Sequence, residues 1–320
     1  MPEMNMVQAI NLALQEEMER DPAIVLLGED VGKNGGVFRV TEGLQSLFGP
    51  ARVMDTPLAE SGIVGAAVGM AVYGLKPVAE IQFMGFIYPA LDQIFSHAAR
   101  IRSRSRGRFT CPLVIRTPYG VGIRSPELHS ESAEALFCHM PGIKVVVPSS
   151  PFTAKGLLAS ALRDPDPVLF LESTRLYRLI REEVPEGGYT LPLGKARTIR
   201  EGRGITVLAW GSMLHKALRA ADGYDADVID LMTLRPFDEE TILASVRKTG
   251  RVVIIHEAPK TGGFGAELAA TVAEDAMLHL KGPILRVAGC DAVLPLARLE
   301  DAYMPSVERM RRAFDEIMKY

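Results

Sequence analysis

The stretch ESGIVGAAVGMAVYGLKPVAEIQF (60–83) decides the fold class, because it joins a helix to a buried strand. Residues 61–74 form an uncharged run rich in Gly and Ala that predicts a helix, and VAEIQF (78–83) predicts a strand. Short apolar runs alternate with amphipathic stretches in the same way along the rest of the chain. This alternation is typical of a mostly parallel sheet covered by helices, so the sequence predicts an α/β protein.

The chain divides into two units where this alternation lapses. Residues 178–204 are rich in Gly, Pro and charge, and we expect a linker over 186–204 between a first domain of residues 1–185 and a second of residues 205–320. Further strands are expected at 24–27, 113–116, 143–147, 168–172, 205–210, 226–231, 251–256 and 284–288. Further helices are expected at 5–20, 88–102 and 151–163, and from about Ser212, Asp238 and Phe264.

Composition excludes several classes of protein. The 320 residues are 48% hydrophobic and 23% charged, with a formal charge of −3 and a pI near 6.1, which gives no electrostatic basis for binding nucleic acid. The basic run RIRSRSRGR (100–108) reads as a solvated surface. Three widely spaced cysteines indicate a reducing compartment, and the N-terminus does not resemble a signal peptide. The longest uncharged run, 61–75, is too short to span a membrane, so we expect a cytoplasmic protein.

The common motifs of nucleotide-binding and hydrolytic enzymes are absent. There is no G-x-G-x-x-G at a strand-to-helix turn and no phosphate-binding G-x-x-x-x-G-K-[ST]. No G-x-S-x-G motif occurs, and the six histidines are not spaced as zinc ligands. Bound NAD or ATP, serine hydrolysis and a zinc site therefore have no support in the sequence.

Glu60 is the sharpest local feature, because it stands alone at the start of the apolar helix. A carboxylate in the first turn of a helix is stabilised by the helix dipole by about 0.3 to 1 kcal/mol, which lowers its pKa. Burial at a domain or subunit contact raises the pKa of a carboxyl by up to about 3 to 5 pH units, so burial would outweigh the dipole. Residue spacing alone leaves both interpretations open: a charged first-turn residue, or a neutral acid that donates a hydrogen bond.

The loop TPYGVGIRSPELHSESAEA (117–135) is a second candidate. It follows a predicted strand, and ligands of parallel sheets bind at the carboxyl ends of the strands. His129 lies in this loop, where it is either a catalytic group or an exposed bystander. The aromatic stretch QFMGFIYP (82–89) reads by itself as core.

Long motifs between about residues 5 and 315 resemble the beta subunit of thiamin-diphosphate-dependent 2-oxo acid dehydrogenases. They are LLGEDVGKNGGVFRVTEGL (26–44), RVMDTPLAESGIVGAAVGMAVYGLKPVAEIQF (52–83), ALDQIFSHAARIR (90–102), HSES (129–132), PGIKVVVPSSPFTAKGLL (141–158), DPDPVLFLE (164–172), VIDLMTLRPFDEETI (228–242) and GCDAVLPLARLEDAYMPS (289–306). The resemblance implies a transketolase-like pyrimidine-binding domain followed by a transketolase C-terminal domain, both with mostly parallel sheets.

The resemblance also implies roles for the two candidate residues. Glu60 matches the family glutamate that bonds a ring nitrogen of the cofactor's aminopyrimidine and promotes its imino tautomer. His129 matches the family histidine that assists transfer of the acyl group to a lipoyl arm. General acid and base catalysis of this kind is typically worth about 10²- to 10⁴-fold in rate.

Other positions carry over as the walls of the cofactor site and as a cation site. The resemblance places the cofactor against Glu29, Leu58, Ala59, Gln82, Phe83 and Phe86, with Phe86 stacked on the pyrimidine. Backbone carbonyls around Cys111, Leu113, Val114, Ala161, Asp164 and Asp166 match a loop pair that binds a monovalent cation such as K⁺ in some members. The chain departs from many relatives at Met84–Phe86 and at Pro126–Leu128, and the second departure is expected to reshape the substrate mouth.

An absent motif implies a partner. Thiamin enzymes hold the diphosphate through Mg²⁺ on a G-D-G motif, which this sequence lacks. The resemblance therefore implies an alpha subunit that holds Mg²⁺ and shares thiamin diphosphate, in a heterotetramer of two alpha and two beta chains bound to a dihydrolipoyl acyltransferase core. The segments GVFR and EIQF favour a branched-chain 2-oxo acid as substrate. Pyruvate dehydrogenase, acetoin dehydrogenase and a non-catalytic assembly subunit are the alternatives.

Overall fold

The computed structural model describes residues 1–320 and builds them around two main sheets. In chain order the strands are β1 (Glu3–Met4), β2 (Ile24–Gly28), β3 (Val53–Asp55), β4 (Lys76–Glu80), β5 (Val114–Tyr119), β6 (Lys144–Val146), β7 (Val168–Ser173), β8 (Glu182–Glu183), β9 (Arg197–Arg200), β10 (Ile205–Ala209), β11 (Ala226–Asp230), β12 (Thr233–Arg235), β13 (Val252–Pro259) and β14 (Leu285–Gly289). The α-helices are α1 (Met6–Arg20), α2 (Leu44–Phe48), α3 (Glu60–Val72), α4 (Ile101–Arg104), α5 (Glu134–Cys138), α6 (Pro151–Arg163), α7 (Leu176–Leu179), α8 (Ser212–Ala220), α9 (Glu239–Thr249), α10 (Gly265–Ala276), α11 (Glu300–Tyr303) and α12 (Val307–Ile317).

The first sheet has seven strands in the order β12-β6-β7-β5-β4-β2-β3. All neighbours are parallel except β12, which runs antiparallel to β6. Its central strands are buried on both faces, as the near-continuous apolar runs of parallel strands require. The predicted α/β fold is therefore confirmed. The strands β3 and β12 were not predicted, because three residues are too few for a periodic pattern.

The second sheet has five strands in the order β14-β13-β10-β11-β9. The neighbours are parallel except β9, which pairs antiparallel with β11. Strand β9 falls inside the stretch 186–204 that we expected to be a linker. Its sequence Arg-Thr-Ile-Arg is mostly exposed and charged, which suits an edge strand but gives no signal of a buried one.

Helix boundaries follow local capping signals. Asn5 caps α1 and Ser150 caps α6, each in a reciprocal capping box, and Pro151 occupies the first position of α6 as predicted. The helix expected at 88–102 is instead broken into a 3₁₀ turn (Met84–Ala90), a π turn (Gln93–His97), a second 3₁₀ turn (Ala98–Arg100) and α4. Pro89 inside the first of these turns cannot donate a backbone hydrogen bond, which disfavours a regular α-helix there. None of the helices combines the length and apolarity that crossing a bilayer would require.

Buried acids line the contact between the two sheets. Strand β12 follows β11 in the chain but pairs with the first sheet, so the two units share a strand pairing as well as a continuous core. Trp210 donates from Nε1 to Glu134 Oε1 at 3.3 Å, and Ser149 donates to Asp230 Oδ1 at 2.8 Å. Burial is the main cause that raises the pKa of Glu134 and of Asp230, each to about 7.

We expect Glu134→Gln to change how stability depends on pH. Wild-type Glu134 keeps its proton in the folded state up to about pH 7 but loses it near 4.5 when unfolded, so its contribution to stability falls as pH rises through that window. The difference corresponds to roughly 3 kcal/mol. The free energy of unfolding of the variant should equal that of wild type near pH 4 and exceed it by up to roughly 3 kcal/mol at pH 8. Urea unfolding followed by the fluorescence of Trp210, the single tryptophan, measures this, and parallel pH profiles would contradict it.

Candidate active site

Three neighbouring strands deliver candidate residues to one edge of the first sheet. Glu29 follows β2, Gln82 follows β4, and the loop that carries His129 follows β5. These strands are adjacent and parallel, so their carboxyl ends meet at the same edge. The site predicted from separate motifs therefore has a common location in the fold.

Two carboxyl groups approach each other at this edge. Glu60 is the first residue of α3, half-buried, and follows Ala59, which makes no side-chain cap. Glu29 is only 8% exposed. Burial is the main cause that raises the pKa of Glu29, and the negative charge of Glu60 raises it further. The pair therefore favours retention of a proton on Glu29 and electrostatically couples the two acids.

An aromatic cluster surrounds His129. Its ring centroid lies 4.4 Å from that of Phe83 and 5.0 Å from that of Phe86, and the two phenyl rings are 5.5 Å apart. His129 Nδ1 is buried without a hydrogen-bond partner, whereas Nε2 makes no hydrogen bond and is not enclosed. The accessible nitrogen is the one that can exchange a proton with a bound group.

The segment around Phe86 and the His129 turn fit closely together. A Cβ atom on Gly85 would lie 2.5 Å from the carbonyl oxygen of Leu128, so only glycine allows this approach. Tyr88 donates to Glu131 just beyond the histidine. The departure from relatives at Met84–Phe86 therefore touches the departure at Pro126–Leu128, and the two form one surface beside His129.

The remaining cofactor-lining candidates are open. Leu58 is 78% exposed and Ala59 is exposed, while Gln82 is half-buried. Thr56 Oγ1, in the same DTPLAE segment, is buried without a hydrogen-bond partner. This side of the site thus has an uncovered apolar residue, Leu58, which a bound ring or a second chain could cover.

A buried ion cluster that the sequence did not reveal lies beneath the site. Arg116 on β5 is 1% exposed and makes two hydrogen bonds to Glu172 on β7, at 2.8 and 2.7 Å. It also donates to Glu80 on β4, and Tyr177 donates to Glu172 at 2.6 Å. Three adjacent strands are therefore tied together at their carboxyl ends.

The residues expected to bind a monovalent cation do come together. The amide of Cys111 donates to Pro165 O at 3.1 Å, which joins the two loops. Burial, together with the charge of Asp166, raises the pKa of the Cys111 thiol to about 12. The Cys111 carbonyl accepts from the Leu113 amide, and the Leu113 carbonyl accepts from the Val168 amide. The Ala161 carbonyl accepts from the Asp164 amide. Each of these oxygens therefore keeps a second lone pair. Lys144 pairs with Asp164 at 2.7 Å and Arg102 with Asp166 at 2.6 Å. Both carboxylates are thus already neutralised by a basic side chain.

Neither metal-binding side chains nor a large cavity marks the site. No group of three or more His, Cys, Asp or Glu residues is arranged to hold a metal ion. A cavity of about 810 Å³ lies between the two units, where Cys111, Cys138, Phe237 and Phe264 are among its walls. None of Glu29, Glu60 and His129 lines it, so this cavity is separate from the candidate site.

Comparison with known proteins agrees with this architecture. Residues 2–180 match the transketolase pyrimidine-binding domain, and residues 194–310 match the transketolase C-terminal domain. The chain is similar in structure to a split-gene transketolase described as an inactive beta4 tetramer, with a TM-score of 0.81, 24% identity and coverage of 99% of this chain and 98% of that chain. At that identity the likeness concerns the fold alone. The protein is therefore a two-domain member of the transketolase-like class.

Its curated relatives are more specific. The chain is 49% identical over 325 residues to the pyruvate dehydrogenase E1 component subunit beta of Bacillus subtilis (strain 168), with 100% of both chains covered. It is 50% identical over 319 residues to that subunit of Acholeplasma laidlawii, covering 98% of each, and 51% identical over 311 residues to that of Staphylococcus epidermidis, covering 96% of each. The chain belongs to the family of E1 beta subunits of 2-oxo acid dehydrogenases. The preference for a branched-chain substrate is not supported, because these relatives are all pyruvate dehydrogenase subunits.

We expect Arg116→Met to destabilise the chain strongly, because it leaves Glu80 and Glu172 buried without their cation. Removing one partner of a buried ion pair typically costs about 3 to 5 kcal/mol. Arg102→Met is the matched control, since the Arg102–Asp166 pair is partly exposed and should contribute little. Urea unfolding of both variants at pH 7 measures the effect. Equal midpoints for the two variants would contradict it.

Proposed function

We propose that this chain is the beta subunit of the decarboxylating component of a pyruvate dehydrogenase complex. The observation that carries the proposal is that the sheet edge at which Glu29 and Glu60 lie also bears the aromatic cluster of His129, 4.4 Å from Phe83 and 5.0 Å from Phe86. Its relatives support pyruvate over a branched-chain acid as the substrate. Pyruvate would lose carbon dioxide, and the remaining acetyl group would pass to a lipoyl arm.

Thiamin diphosphate is the cofactor that this edge would hold. Glu60 would hydrogen-bond a ring nitrogen of the aminopyrimidine, Phe86 would stack on that ring, and Glu29, Leu58, Ala59, Gln82 and Phe83 would line the site. When bound, the cofactor supplies the electron sink for decarboxylation. The exposed Leu58 supports a site that is completed by a ligand and a second chain.

The two candidate catalytic residues would each handle a proton. Glu60 would share a proton between its carboxyl group and the ring nitrogen of the aminopyrimidine. In acyl transfer, the acyl carbon would bond to one sulfur of the lipoyl disulfide while its bond to the cofactor breaks, and the S–S bond would break as the disulfide takes up two electrons from the acyl carbon. The other sulfur would leave as a thiolate, and His129 would give it a proton from Nε2, the ring nitrogen that is not buried.

We propose an alpha subunit as the partner that completes the site, in a heterotetramer of two alpha and two beta chains. Leu58, just before α3, is 78% exposed, and Tyr73, just after it, is 92% exposed. The face of α3 between them exposes the small residues Ser61, Gly62, Ala66 and Gly69. Such a face buries apolar area when a second chain packs on it. The partner would hold Mg²⁺ and the diphosphate, and the acyltransferase core would receive the acyl group. A K⁺ ion would bind the carbonyls near Cys111 and Ala161.

We expect Glu60→Gln to assemble with the alpha subunit and bind thiamin diphosphate but lose almost all decarboxylation. A neutral amide keeps the shape of the side chain and cannot exchange the proton, and general acid and base catalysis contributes about 10²- to 10⁴-fold. Reduction of an artificial electron acceptor by pyruvate measures the step without a lipoyl domain. Normal turnover by the variant would show that Glu60 does not have this role, and a panel of 2-oxo acids in the same assay tests substrate choice.

The isolated chain should not bind thiamin diphosphate with measurable affinity. It has no side-chain cluster for the metal that holds the diphosphate, and its half of the site is open. Calorimetric titration of thiamin diphosphate and Mg²⁺ into the chain, with and without the alpha subunit, tests this. Tight binding without the partner would contradict the shared site.

A further inference from the structure

Glu257 lies on β13 of the second sheet, but its carboxylate contacts the two ends of the His129 loop. We call this place, where Gly120–Val121 and Glu131–Ser132 come together, the neck of the loop. The side chain is 3% exposed. Its Oε1 accepts from the Val121 amide at 2.5 Å and lies 3.4 Å from the Ser132 hydroxyl, which can donate to it. Its Oε2 accepts from the Ser212 hydroxyl at 2.8 Å. Val121 and Ser132 lie on the entry and exit sides of the loop, so one carboxylate ties both sides to the second unit.

The neck is built closely around this carboxylate. Gly120 has a φ of +77°, and a Cβ atom on it would lie 2.2 Å from Glu257 Oε1. The Gly120 amide donates to Glu131 O at 2.9 Å, and the Gly120 carbonyl accepts from the Thr174 hydroxyl at 2.9 Å. A residue other than glycine would be strained in conformation and would also displace the carboxylate.

The imidazole of His129 has no hydrogen bond of its own to fix it. Nδ1 is buried without a partner, and the ring is restrained only by packing on Phe83 and Phe86. Its amide donates to Pro126 O at 3.0 Å, which is a bond within the loop. The position of the ring therefore depends on how the loop backbone is anchored at its neck.

We infer that Glu257 is a positioning residue for His129, through which the second domain sets the geometry of acyl transfer to the lipoyl arm. The inference rests on the function proposed above and extends it to the C-terminal domain. Glu257 touches no reacting atom; it acts on the loop. A displacement of about 1 Å in a catalytic group can cost about 10²-fold in rate, so anchoring of this kind affects chemistry as well as stability.

The test separates decarboxylation from acyl transfer in the assembled heterotetramer. Glu257→Ala should lower the rate of acetylation of a lipoyl domain by pyruvate by about 10- to 100-fold and leave reduction of an artificial electron acceptor within about twofold. Glu257→Gln keeps an acceptor oxygen for Val121 and should restore most of the rate. Asp230→Ala is the matched control, because it removes another buried acid from the same contact without touching the loop.

A double-mutant cycle shows whether Glu257 acts through His129. His129→Ala should lower lipoyl acetylation by about 10²- to 10⁴-fold, and adding Glu257→Ala should cause no further loss. If the losses caused by the two substitutions multiply in the double variant, Glu257 does not act through His129 and the inference is overturned. It is also overturned if Glu257→Ala and Asp230→Ala lose the same activity as each other in both assays.

Two outcomes distinguish this inference from the function on which it rests. If His129→Ala slows lipoyl acetylation but Glu257→Ala does not, only the positioning role fails. If His129→Ala has no effect, the proposed role of His129 fails and the positioning role fails with it. Should Glu257→Ala not assemble, Gly120→Ala perturbs the same neck from the loop side and should show the same selective loss; equal losses in both assays would again overturn the inference.

Discussion

The charge of Arg116, enclosed between Glu80 and Glu172, is the constraint on which the candidate site depends. A guanidinium taken out of water is costly unless it is paired and hydrogen-bonded, and here three adjacent strands supply the partners. The requirement fixes how β4, β5 and β7 lie against one another at their carboxyl ends. Gln82 and the His129 loop leave the sheet directly after two of these strands, so their positions follow from it.

Hydrogen bonds of buried acids join the two domains, in addition to apolar packing. Glu134 belongs to the first unit, and Asp230 and Glu257 to the second, yet all three are buried at their contact. Such acids contribute less stability than apolar residues would, because burial opposes their ionisation. They provide directed hydrogen bonds instead, and those of Glu257 reach the loop that carries His129. The C-terminal domain thus lies within reach of the candidate chemistry, although no part of it lines the cofactor edge.

The open side of the site explains why a partner is part of the proposal. The sequence argument for Glu60 required a dry environment, and this chain alone leaves the residue half-buried beside the exposed Leu58. The charge of Glu60 already acts on Glu29, so the coupling of the acids exists within one chain. Closure by a second polypeptide would lower the local dielectric and strengthen that coupling, because charges interact more strongly when water is excluded.

The sequence by itself determined the α/β class, most of the longer strands, and the capped starts of α1 and α6, because periodicity and capping are properties of neighbouring residues. Local sequence also singled out Glu60 and His129, and motif resemblance supplied the roles proposed for them. Tertiary structure alone decided the short strands β3 and β12, the broken helix over 84–104, and the arrangement of Arg116 and Glu257. Ion pairs and hydrogen bonds between residues far apart in the chain depend on how the strands are ordered in the sheet. The pattern of neighbouring residues in the sequence does not indicate that order.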